Sequence, residues 1–136
     1  MDLEKSQKLL SQLSAEELAK TLGLLGHWWP QVAGKVVDIK ASFVEHKDSP
    51  SVLKKVLEEA LTIDNFVDHT ECDSYFLIVV EAHEQLKKLA RDGKTDLAKE
   101  LAHFSVKISD ESLEHLDDGF SWEDETNQLR EWAESL

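Results

Sequence analysis

An all-α fold is what this 136-residue sequence predicts, on three observations. Only five glycines and two prolines interrupt it, too few for a sandwich or barrel that needs a special turn about every ten residues. The apolar residues recur mostly at intervals of three and four, the spacing of one helix face. Ser, Thr, Asp or Pro precedes these stretches and Gly often follows them, as at helix starts and stops. The expected architecture is one domain over residues 1–136, a bundle of six to eight helices around a central buried helix. The alternative is α+β, with strands near residues 36–44, 75–80 and 104–108, where apolar residues also alternate.

Leu3, Leu9, Leu10 and Leu13 define a first short helix. Ser14-Ala15-Glu16-Glu17 reads as a capping box, with Leu13 and Leu18 placed as a hydrophobic staple. The second helix turns Leu18, Leu22 and Leu25 inward and stops at Gly26. Trp28 and Trp29 follow as a corner; as chain neighbours they point in different directions, which leaves one partly exposed. Pro30 suits the first turn of a third helix with Val32, Val36, Ile39 and Phe43 inward. Asp48-Ser49-Pro50 opens a fourth to about Leu61, burying Val52, Leu53, Val56, Leu57 and Ala60 and leaving Lys54, Lys55, Glu58 and Glu59 in water. Asp64 caps a short turn carrying Phe66 and Val67.

The central helix starts near Asp73 and stops at Gly93. Residues 75–80 are apolar all round, so Phe76, Leu77, Val79 and Val80 are expected inside, with neighbours on several sides. From Glu81 onward only Ala82, Leu86, Leu89 and Ala90 continue the stripe. Thr95 caps the next helix, inward through Leu97, Leu101 and Phe104. Ser109 caps a short acidic helix with Leu113 and Leu116, ended by Asp118-Gly119. Ser121 caps the last, with Trp122, Leu129, Trp132, Ala133 and Leu136 on one face.

Charge narrows the function classes. The net charge is −13, and residues 109–136 hold ten acids against one base, Arg130. A field of that sign repels phosphate backbones, which argues against direct nucleic-acid binding and favours a basic partner. Cys72 is the only cysteine, so neither an intrachain disulfide nor a cysteine zinc cluster forms. The N-terminus has no secretory pattern and the longest apolar run has six residues, so a cytoplasmic protein without a membrane span is expected.

Candidate chemistry is sparse. Glu100-Leu101-Ala102-His103 has the Glu-x-x-His spacing of helical di-metal sites, and His83 lies nearly level with His103 across the turn at Gly93. With Leu97, Leu101 and Phe104 inward, however, His103 points to solvent, and surface histidines are the simpler reading. Cys72 beside His69 reads as a small core residue, since Glu71 and Asp73 oppose thiolate formation. Glu81-x-x-Glu84 and Glu111-x-x-Glu114, with Asp110 and Asp117, resemble in spacing the acidic pairs of all-helical nucleotide pyrophosphohydrolases. That resemblance implies a carboxylate-bound Mg²⁺ and metal-dependent hydrolysis as the enzyme alternative, although no basic set stands ready for the phosphates. The favoured reading has no catalytic residue, metal or cofactor. It is a small acidic protein that binds and neutralises a basic protein partner, as an immunity protein or inhibitor of a nuclease-type toxin does; a general interaction adaptor is the alternative without a toxin. The partner-binding residues expected are Asp117, Asp118, Phe120, Trp122, Glu123, Asp124 and Glu125, carboxylates for steering and aromatics for anchoring.

Overall fold

The computed structural model describes residues 30–136. The expected first two helices, the capping box at Ser14 and the Trp28-Trp29 corner lie outside these residues, as do the side chains of His69 and Cys72. Five α-helices follow in order: α1 (Pro30–Glu45), α2 (Pro50–Leu61), α3 (His69–Arg91), α4 (Thr95–Ser112) and α5 (Phe120–Ser135), with a 3₁₀ turn at Leu113–His115 between the last two. Among the described residues there is no strand, only an isolated parallel bridge between Val67 and Leu116. The three segments offered as strands are helical throughout.

α3 is the element the rest surrounds: it packs against α1, α2, α4 and α5, and the other contacts run α1 to α2, α2 to α4 and α4 to α5. Its buried face is Tyr75, Ile78, Val79, Ala82, Leu86 and Leu89. The expected burial of residues 75–80 on all sides is therefore corrected. Leu77 is exposed, and Phe76 and Val80 are only half-buried. Along α2 Leu53, Val56, Leu57 and Ala60 lie inside as expected, but Val52 is only half-buried; Lys54 lies over the ring of half-buried Phe104, 4.7 Å from its centre.

Helix α4 differs most from expectation, because it runs without a break through Phe104 and Ser109 to Ser112. Ser109 is buried mid-helix rather than capping a new one. Ala98, Ala102, Ser105 and Ser109 are small and buried, which allows close approach of a neighbouring helix, and the Ser105 hydroxyl is satisfied by the Leu101 carbonyl one turn back at 2.7 Å. α5 is tied on by the Trp122 indole, which donates to the Ser109 carbonyl at 2.9 Å. Trp122, Thr126, Leu129 and Ala133 form its inner face, with Trp132 half-buried beside them.

The turns carry polar ties. α3 closes through Gly93 at φ 91°, where the Gly93 amide donates to Ala90 and the Lys94 amide to Leu89, the paired bonds of a glycine-ended helix. Lys94, not Thr95, occupies the cap position of α4; its ammonium pairs with Asp48 and donates to the Lys47 carbonyl at 3.1 Å, binding two turns together. Ser49 precedes Pro50 without a capping bond. Ser112 is buried: its hydroxyl donates to Leu61 at 2.7 Å and accepts from the Ile63 amide at 3.0 Å, so the ends of α2 and α4 meet. Asp64 caps no helical turn, since residues 62–68 leave α2 in extended and irregular conformation.

Candidate functional site

The extended residues after α2 reach the start of α5 through the Val67–Leu116 bridge. The Val67 amide donates to His115 at 2.8 Å and the Asp117 amide to Val67 at 3.0 Å. Alternation along an extended chain then separates the side chains: Val67 and Leu116 turn into the core, and Phe66 and Asp117 turn out. Phe66 is 70% exposed. Three residues past Asp117, Phe120 opens α5 and is 77% exposed. Ser121 lies inside the helix rather than at its cap; Gly119 takes that position, and Asp118 accepts from the Phe120 amide at 3.3 Å.

Helical spacing puts Glu123 and Asp124 on the same face as Phe120, three and four residues on. Both are exposed, and Asp124 also accepts from Gln128 at 3.0 Å. Acids in this first turn and just before it are favoured by the amide end of the helix, so the charge stabilises α5 as well as facing outward. Five of the seven expected partner-binding residues thus share one corner: Asp117, Asp118, Phe120, Glu123 and Asp124.

The other two do not. Trp122 is 1% exposed with its indole nitrogen already bonded, so it belongs to the core and presents nothing to a partner. Glu125 is half-buried; burial raises its carboxyl above the usual range, with Asp124 acting in the same sense and Lys87 of α3 opposing. It turns toward α3, away from Glu123 and Asp124. Phe66 is the member that sequence reasoning missed. It sits in Asn65-Phe66-Val67, too short a stretch for any periodicity to say which way it faces; only the bridge to Leu116 decides that.

The carboxylates and histidines named as metal ligands point apart. His103 is exposed, as its helix face predicts, whereas His83 is buried with its ring 5.2 Å from that of Trp132. Burial holds its imidazole down at about 4; Lys87 acts in the same sense and Glu84 opposes. Glu81 is buried and engaged by Lys40 of α1 at 3.0 Å and by the Gln85 amide at 2.8 Å. Asp110 pairs with Arg130 of α5, and Glu84 with Lys87 at 3.4 Å. Among the described residues no group of three or more His, Cys, Asp or Glu is placed to hold a metal ion. No described helix is long and apolar enough to cross a membrane.

Over residues 30–136 the helices leave two aromatic rings exposed, Phe120 among the acids at the start of α5 and Phe66 on the extended segment bridged to Leu116. No family model matches it, and neither does any curated protein or solved structure.

Proposed function

We propose that this protein works by binding a basic protein partner and covering its phosphate-seeking surface, in the manner of an immunity protein or inhibitor of a nuclease-type toxin. The observation that carries this reading is Phe120, a large apolar ring 77% open to water among Asp117, Asp118, Glu123 and Asp124. A hydrated phenylalanine contributes little to the fold, whereas covering it on binding removes apolar area from water. Phe66 is a second exposed ring, on a segment that backbone hydrogen bonds fix beside residues 115–117, so it too could meet a partner without much ordering cost. The carboxylates around Phe120 would speed encounter with a basic surface and set orientation, while the rings would hold the complex once formed.

Affinity capture at low and moderate salt, followed by association kinetics on the captured protein, tests this. Asp117, Glu123 and Asp124 are changed to lysine and Asp118 only to asparagine, which keeps the acceptor for the Phe120 amide. That variant should associate more slowly and with a flatter salt dependence. Phe120→Ala and Phe66→Ala should instead raise the dissociation rate by about tenfold each while leaving the salt slope alone. Unchanged association rate and salt slope in the charge-altered protein would reduce the acidity to a solubility feature.

A further inference from the structure

At the opposite end of α3 from the acidic corner, a groove of about 430 Å³ runs between α1 and α3. Residues 40, 43, 44 and 47 of one chain segment face residues 85, 88, 89 and 92 of the other; each set has the spacing of a single helix edge. Phe43, Val44 and Leu89 make the walls apolar, and Val44 is 73% exposed at the lip. The polar lining is cationic on a protein whose net charge is −13: Lys40, Lys47 and Lys88 stand against one acid, Asp92.

The three lysines are not equivalent. Lys40 is neutralised by Glu81 at 3.0 Å, and Glu81 is steadied by Gln85 at 2.8 Å, so one end of the groove is fixed and uncharged overall. Lys47 and Lys88 make no ion pair within 4 Å among the described residues, although Lys47 is near enough to Asp48 to help hold that carboxyl below its usual range. Two ammonium groups without an ion pair among the described residues, beside an apolar trough, match an anionic head on an apolar body, and the volume lies within the range of small-ligand sites, roughly 300–1,000 Å³.

We propose that this groove binds a small organic anion, its head between Lys47 and Lys88 and its apolar body along Phe43, Val44 and Leu89. The head is a carboxylate or a phosphate ester, both of which accept charge-assisted hydrogen bonds from lysine. The site is separate from the acidic corner, so either proposal stands or falls without the other.

The test is a titration of the isotopically labelled full chain, followed by amide chemical shifts, with octanoate, octyl phosphate and neutral octanamide in parallel. Saturable shifts centred on Val44, Lys47, Lys88 and Leu89 are expected for at least one of the two anions, and the stronger of them identifies the head group. Combining Lys47→Gln with Lys88→Gln should weaken that binding by about tenfold or more while the rest of the spectrum stays dispersed. Raising the salt should weaken it too. The proposal is overturned if octanamide binds as well as the anions, if the shifts lie elsewhere, if the double variant binds like the parent, or if an acidic peptide such as oligoglutamate binds and neither octyl anion does.

Discussion

His83→Leu should remove most of one acid-sensitive component of stability. His83 is 7% exposed on α3, packed against Trp132, and its Nε2 is buried with no hydrogen-bond partner among the described residues. The folded state keeps the imidazole neutral down to about 4, against 6.5 for a free side chain. Between those values the unfolded chain takes up a proton that the folded one refuses. Stability is therefore fully present above 6.5 and is lost as the pH falls toward 4. At about 1.4 kcal/mol per pH unit the interval corresponds to about 3 kcal/mol; water screens the part contributed by Lys87 and Glu84, which leaves about 2 kcal/mol. Leucine fills similar space and binds no proton, so the variant should match or slightly exceed the parent at neutral pH and gain on it as the pH falls. Urea unfolding followed by tryptophan fluorescence, from about pH 7.5 to about pH 4.5, measures the difference between the two. Parallel stability curves, or a His83 imidazole titrating near 6.5 in the folded protein, would refute the reasoning.

Other substitutions probe the packing. Val79→Asp buries an unpaired charge at a fully enclosed position, costing several kcal/mol of a typical stability of about 5–15 kcal/mol, and should unfold the chain by circular dichroism. Ser112→Ala leaves the Leu61 carbonyl and Ile63 amide without their shared partner and should lower stability by about 1–3 kcal/mol in urea titrations. Gly93→Ala forces a side chain into left-handed backbone and should cost about 1 kcal/mol in the same assay. Glu125→Gln should stabilise the protein at neutral pH, where burial penalises the carboxylate; the gain should fade as the pH falls and Glu125 takes up its proton, which paired thermal melts would show.

The sequence by itself determined the helical class, the placement of Pro50 at the start of α2, the stop at Gly93 and the inward stripes of α2 and α5. Each rests on local chemistry, a fixed φ, a missing side chain or a clean periodicity, and none needs a neighbour to be known. The concentration of acids near the C-terminus was equally legible. The rotation of α3 was not. Where residues 75–80 are apolar on every side, no period selects a face, and the packing of four neighbouring helices chose Ile78 and Val79 over Leu77.

The serines of α4 show the same limit from the other direction. Ser109 reads as a cap because serine satisfies helix ends well, yet a cap is worth only about 1 kcal/mol, and a tight interface with α5 outweighs it. The segment carrying Phe66 comes to lie beside residues 115–117 only through the bridge between Val67 and Leu116, 49 positions apart. Likewise Lys47 and Lys88 come to one groove only because α1 and α3 lie side by side. Charge and helix ends are local properties that residue order fixes. Which side chains share a surface depends on long-range pairing, and that is decided only when the helices pack.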